Sequence, residues 1–215
     1  MKKRRRGMFI TFEGIDGCGK STQLDLVYKY LTGLGFGAVK LREPGSTPVA
    51  ERVRDILLDR RAHISDITEL LLYEAARAEI TRKEIVPALQ KGTFVLCDRF
   101  YDSTTAYQGY GRKLDIAMVR RLHRVAAGQT VPDLTLLFDV DLKTAMKRRG
   151  KNTDRLESQS GAFFERVRKG FLEIARKERK RVRVIDASQS VEQVFGDVRK
   201  HLNRKLRQYE PPGNS

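Results

Sequence analysis

At 215 residues the chain is long enough for a single domain, 1–215, with a sizeable core. Its 43 Lys and Arg outnumber 27 Asp and Glu and give a net charge of +16, a field that attracts anions of every kind. No apolar run reaches the roughly 18 residues of a membrane span, and two cysteines provide no disulfide framework, so a cytoplasmic protein with no membrane partner is expected.

Residues 1–7 read as a basic, disordered arm, because the apolar run behind them is too short for a signal peptide. That run, 8–13, reads as a strand. It leads into Gly14-Ile15-Asp16-Gly17-Cys18-Gly19-Lys20-Ser21 and then a helix over about 22–34, with Leu24, Val27 and Leu31 on one face. A strand at 38–42 and a helix at 48–58 follow. A long helix starts near Ser65 with Ile67, Leu70 and Leu71, and a capping box at Thr81 and Glu84 predicts that it restarts there. After the strand 93–98, Asp115 caps a helix carrying Ile116, Val119 and Leu122. The strand 134–140 precedes a helix marked by Phe163, Phe164, Val167, Phe171 and Ile174. The strand 182–186 precedes the last helix, opened by Ser190 with Gln193, and 208–215 reads as a disordered tail.

This alternation predicts an α/β fold, a parallel five-stranded sheet with helices on both faces. On the strand 93–98, Cys97 and Asp98 point to opposite faces, so Cys97 is expected to face away from Cys18. The basic clusters at 176–183 and 199–207 read as solvated helix faces, without a nucleic-acid motif to make them a footprint. Every chemically loaded segment falls after a strand, where ligands of open α/β sheets gather.

The Gly-x-x-x-x-Gly-Lys-Ser segment sits between a strand and a helix, the context in which it forms a phosphate loop. Its backbone N–H groups wrap a β-phosphate and the helix N-terminus adds positive potential. Lys20 supplies a mobile charge for the β- and γ-phosphates, and Ser21 a hydroxyl for Mg²⁺. A nucleoside triphosphate is therefore expected on Gly14–Thr22, within a three-layer P-loop NTPase fold. GTPases usually carry an Asn-Lys-x-Asp segment, and this chain has none. Tyr73 and Arg77, four apart, share one helix face. That pattern alone suits either an aromatic stacked on a base or a core residue in line with Leu70.

The sequence resembles the thymidylate kinases over nearly its whole length. The resemblance rests on Glu13–Thr22 and on Arg42-Glu43-Pro44-Gly45-Ser46-Thr47-Pro48, where the family usually has Gly at Ser46. It extends to Leu70–Arg77, to Asp98-Arg99-Phe100-Tyr101-Asp102-Ser103-Thr104-Thr105-Ala106-Tyr107-Gln108-Gly109, and to Pro132-Asp133-Leu134, Asp139–Asp141 and Asp154–Glu157. It implies that Tyr73 stacks on thymine and Arg77 hydrogen-bonds near the base. It implies further that Glu43 belongs to the acceptor site, Arg99 grips the acceptor phosphate, and Asp98 helps hold Mg²⁺ through water. Thr104 and Tyr107 are placed against the base edge and sugar, with Tyr107 excluding a 2′-hydroxyl and Gln108 assisting. The family is usually a homodimer.

The implied reaction moves the γ-phosphoryl group of MgATP to dTMP, giving dTDP. The alternatives are another nucleoside monophosphate kinase, acting on dUMP or a cytidine nucleotide, or a basic nucleic-acid-binding NTPase. The acceptor oxygen is already anionic, so catalysis needs positioning and charge neutralisation rather than a strong base. Asp16 is expected at the acceptor sugar or the metal shell. The phosphate loop has no Arg, so a lid over about 147–157 must neutralise the moving phosphoryl. Arg149 is the expected residue, because Gly150 behind it provides a hinge. Arg155 is expected to pair with Asp154 or Glu157 or to stack on adenine. Phe171, where the family often has Tyr, leaves a hydroxyl missing near the nucleotide.

Overall fold

The computed structural model describes residues 6–149, 155, 156 and 158–209, with Arg149 described by its backbone alone. Most of the expected arm 1–7 and tail 208–215, and much of the expected lid, lie outside the described residues.

The strands are β1 (Phe9–Glu13), β2 (Ala38–Arg42), β3 (Phe94–Asp98), β4 (Leu134–Asp139) and β5 (Val182–Asp186). Among the described residues they form one five-stranded sheet in the order β2-β3-β1-β4-β5, with every pairing parallel. The sheet alternates its side chains between two apolar layers. Met8, Ile10 and Phe12 pack with α1 (Lys20–Gly33) and α9 (Val191–Leu206), while Phe9, Val95 and Cys97 pack with Ile80, Ile85, Leu89 and Phe100. The period of two along each strand puts Cys97 and Cys18 in different layers, and both thiols are buried and free.

The central strand β1 has β3 on one side and β4 on the other, so the chain order reverses beside it. That reversal opens a crevice at the carboxyl ends of β1 and β3, and the phosphate loop and Arg99 lie there. The remaining helices are α2 (Pro48–Leu58), α3 (Asp66–Ile80), α4 (Val86–Gln90), α5 (Tyr101–Thr104), α6 (Ile116–Ala127), α7 (Leu142–Arg149) and α8 (Gly161–Lys177). Their caps match their sequences: Ser65, Asp115 and Ser160 accept from first-turn N–H groups, and Ser190 with Gln193 forms a capping box.

Thr81 is a correction. It does not restart a helix but continues α3 with helical dihedrals into a π-helical stretch, Thr81–Ile85, that runs on into α4. No N–H group is released at that point, and the buried Thr81 hydroxyl has no hydrogen-bond partner. A second π-helical stretch, Thr105–Gly111, continues α5 and packs along α8. It carries Tyr107 and Gln108. Such widened turns gather at functional sites, and hydrophobic periodicity does not announce them. Among the described residues no helix is long and apolar enough to cross a membrane.

Candidate active site

The phosphate loop borders a cleft of about 710 Å³ between β1, α2 and the start of α9. Residues Asp16 to Gln23 line it, together with Arg42, Glu43, Asp98, Arg99 and Arg148. Gly17 has a φ of 84°, and a Cβ there would meet the Ala145 carbonyl. Gly19 caps α1 in the left-handed region at φ 93°, a conformation glycine adopts without strain. Gly14 and Ile15 stand behind the cleft, with Ile15 in the core and its carbonyl accepting from Lys20 Nζ at 3.1 Å. Lys20 Nζ also lies 3.7 Å from Asp16. Ser21 Oγ donates to Asp98 Oδ2 at 2.9 Å, while the buried Asp98 Oδ1 has no hydrogen-bond partner.

Asp16 and Arg99 mark the join between this cleft and a second, narrow pocket of about 80 Å³. Arg99 Nη2 donates to Asp16 Oδ1 at 2.6 Å, Arg99 Nη1 to Ser103 Oγ at 2.9 Å, and the guanidinium lies over the Tyr107 ring. Burial pushes the Asp16 carboxyl up, but the charges of Arg99 and Lys20 outweigh it and hold Asp16 well below the usual carboxylate range. Arg99 takes this position with a φ of 69°, a strained conformation for a side chain of its size. Glu13 anchors it from below: its two oxygens accept from Phe100 N and Ser103 Oγ at 2.7 and 2.6 Å. Burial, reinforced by Asp102, pushes the Glu13 carboxyl up to about 8.

The narrow pocket is lined by Tyr73, Arg77, Thr104, Tyr107, Gln108 and Leu156, among others. Tyr73 is half-buried at the pocket wall while Leu70, three residues before it, is fully buried in the interior. The core alternative for Tyr73 is therefore not what the structure shows. Arg77, 1% exposed, donates Nε and Nη2 to Glu43 Oε2, Nη1 to Glu74 Oε1 and Nη2 also to Thr104 Oγ1. Burial pushes the Glu43 carboxyl up to about 7 against the pull of Arg77. Gln108 donates to Glu69 at 2.8 Å. Ser46 holds the loop before α2 at a φ of 67°, with its hydroxyl accepting from the Arg42 N–H and its own N–H donating to Glu51. The two hydrogen bonds offset a conformation that Gly adopts without strain.

Two residues near the lid stand elsewhere than at a nucleotide in the donor cleft, while the expected Arg155 partners Asp154 and Glu157 lie outside the described residues. Arg155 donates to Glu69 Oε2 and to the Leu57 carbonyl, which places it against α2 and α3 on the acceptor side rather than at an adenine. The charge of the fully buried Glu69 draws it there. Phe171 lines neither pocket, and its ring packs edge-on against Tyr107 in the core. The Arg149 side chain, Lys151, Asp154 and Glu157 lie outside the described residues. Arg148 lines the donor cleft and donates to the Ala187 carbonyl at 2.7 Å.

Sequence reasoning missed Arg54, Glu69 and the structural part of Glu13. Arg54 lines both pockets and donates to the Pro44 carbonyl. Its signal was its spacing from Ala50 and Leu57, the buried face of α2. Glu69 accepts from Gln108, Arg112 and Arg155, and their hydrogen bonds hold its carboxyl below the usual range despite burial. A carboxylate beside Leu70 on the inward face was the available sign.

A family model described as thymidylate kinase matches residues 12–198. The chain is 45% identical over 194 residues to the thymidylate kinase of Thermoanaerobacter sp. (strain X514), covering 90% of this chain and 96% of that one. It is 49% identical over 197 residues to that of Kosmotoga olearia, covering 91% and 95%. The solved structure of thymidylate kinase from Ehrlichia chaffeensis superposes with a TM-score of 0.76 at 37% identity, covering 92% of this chain and 99% of that one. A family model matched over most of the chain, together with relatives at 45–49% identity over nine tenths of it, places this chain in the thymidylate kinase family.

Proposed function

We infer that this thymidylate kinase phosphorylates dTMP to dTDP through the side chains gathered where its two pockets join. The observation that carries the reading is the Asp16–Arg99 pair, which lines both the donor cleft and the acceptor pocket. ATP occupies the cleft with its β-phosphate on the loop amides, and Lys20 leaves the Ile15 carbonyl for the β- and γ-oxygens. Arg99 and Arg54 orient the acceptor phosphate, whose oxygen is already anionic. No general base is needed, and the chain's work is alignment and charge neutralisation.

Tyr73 stacks on the base, Arg77 and Thr104 meet its edge, and Gln108 closes that end. Tyr107, its hydroxyl shared between Asp16 and Arg99, stands where a ribose 2′-hydroxyl would arrive. Ser21 and Asp98 would hold the magnesium ion that accompanies ATP in this family. The buried, unpartnered Asp98 Oδ1 beside the Ser21 hydroxyl fits that assignment. When bound, the ion draws charge from the phosphates.

A homodimer is the assembly we propose, supported by the exposed apolar side chains of Val49 and Ile56 on α2 and of Ile67 and Leu71 on α3. Light scattering on the purified chain tests it, a monomer at micromolar concentration counting against it. The free, buried thiols of Cys18 and Cys97 support a cytoplasmic setting.

The deciding experiment for the reaction is a panel of nucleoside monophosphates with MgATP, followed by ADP release. The expected order is dTMP first, with dUMP and CMP far behind. Faster turnover of another monophosphate, or hydrolysis driven by DNA or RNA without dTMP, overturns the reading.

A further inference from the structure

Behind the acceptor pocket, α6 sends one polar side chain into an otherwise apolar packing face. His123 is buried beside Val119, Ala126 and Ala127 of its own helix. Its Nδ1 lies 2.7 Å from Glu74 Oε1 and its Nε2 2.9 Å from Thr105 Oγ1, and its ring stacks on Tyr101 with centroids 5.4 Å apart. Glu74 Oε1 also accepts from Arg77 Nη1 at 2.7 Å. A continuous chain of buried contacts therefore runs from α6 to the guanidinium that lines the base pocket.

The protons on this chain can be assigned. Burial pushes the Glu74 carboxyl up, yet Arg77 and His123 together hold it below the usual range, so it is an anion. An anionic acceptor at that distance requires the imidazole N–H on Nδ1. Burial holds His123 below the usual histidine range, so Nε2 is a lone pair that accepts from the Thr105 hydroxyl, whose oxygen also lies 3.2 Å from the Tyr101 carbonyl.

Glu74 needs such a brace. It stands one turn before Arg77 on the same helix, so the two side chains have only that helix in common as a support. Glu43 fixes the Nε and Nη2 edge of the guanidinium from the loop after β2. The opposite edge is fixed only as well as Glu74 is, and the contact from α6 supplies the outside point.

We propose that His123 and Glu74 are positioning residues that hold the Arg77 guanidinium at the angle at which it meets the acceptor's base. The proposal rests on the reading that Arg77 contacts that base, and the test separates the two. The Arg77→Gln variant is measured first. An unchanged KM for dTMP there overturns the base-contact reading and this proposal with it.

With Arg77→Gln impaired, His123→Ala should raise KM for dTMP about tenfold, the loss of one buried hydrogen bond to a charged group, with kcat and KM for ATP within about twofold. His123→Asn places an amide N–H where Nδ1 stood and should restore most of the affinity. His123→Gln reaches only to the Nε2 position and should not. Unchanged KM for dTMP in His123→Ala, or equal defects in all three His123 variants, overturns the proposal. Where His123→Ala fails to fold, Glu74→Gln keeps the volume and should give the same KM rise, and a normal KM there also overturns it.

Discussion

Arg99 meets Asp16 at 2.6 Å with a backbone φ of 69°, so a strained residue is held in place by a charge at the mouth of the phosphate loop. The guanidinium reaches Asp16, Ser103 and Tyr107 at once, and the proposed acceptor phosphate would meet a cation already held beside an anion. Arg99→Lys keeps the charge and loses the fork. Steady-state kinetics should show kcat/KM for dTMP lowered about 100-fold. A value within a few-fold of wild type removes Arg99 from the acceptor.

Lys20 rests on the Ile15 carbonyl within the phosphate loop. Lys20→Ala removes the mobile charge on the transferring group while the loop amides still hold the β-phosphate. Losses of about several hundred-fold in kcat are expected for such a contact, with a smaller loss of ATP affinity. Near-normal turnover in the variant sinks the phosphate-loop assignment.

Acceptor choice should divide between two aromatic residues. Tyr73→Ala should raise KM for dTMP by the ~1–3 kcal/mol of a base stack and leave KM for ATP nearly unchanged. Tyr107→Phe removes only the hydroxyl between Asp16 and Arg99, and should narrow the preference for deoxy over ribo acceptors. Loss of melting temperature with intact dTMP kinetics in both returns the two rings to a structural part.

The strands and the phosphate loop were legible because their signals are local: an apolar run, a glycine pattern, a cap. The long-range hydrogen bonds and ion pairs around the narrow pocket were not. Glu13 reaches Ser103 across 90 positions and Arg155 reaches Glu69 across 86, and no local pattern encodes such a partner. The resemblance supplied Tyr73, Arg77 and Tyr107 as pocket residues, and the fold brings them together. Thr81 misled because the letters of a capping box also fit the interior of a continuing helix, where tertiary packing decides.

Glu13 carries a pH signature. Its folded carboxyl sits at about 8 and an unfolded one near 4.3, so between these values the folded form keeps a proton that the unfolded form has released. Its contribution is whole below the unfolded value and is lost as pH rises through the folded one. Glu13→Gln mimics the protonated form, with an oxygen for Phe100 N–H and an amide beside Ser103. The melting temperature of Glu13→Gln minus that of wild type should therefore climb from about pH 5 to about pH 8 and then level. A difference that ignores pH contradicts the buried, protonated carboxyl.

With no Arg in the phosphate loop, we propose that the lid meets the charge on the moving phosphoryl. Arg148 is committed to the Ala187 carbonyl at the donor cleft, so Arg148→Ala should raise KM for ATP with kcat nearly kept. Arg155 is committed to Glu69 and the Leu57 carbonyl beside the acceptor pocket, so Arg155→Ala should act on KM for dTMP. Arg149 is the last residue of α7, and we propose it for that role because the glycine that follows it in the sequence leaves the backbone free to turn. An Arg that acts only in the transition state lowers kcat and kcat/KM together when removed, with KM unchanged. Arg149→Ala should show that pattern at saturating ATP and dTMP. The same pattern at Arg155 instead moves the role there, and its absence from all three ends the lid assignment.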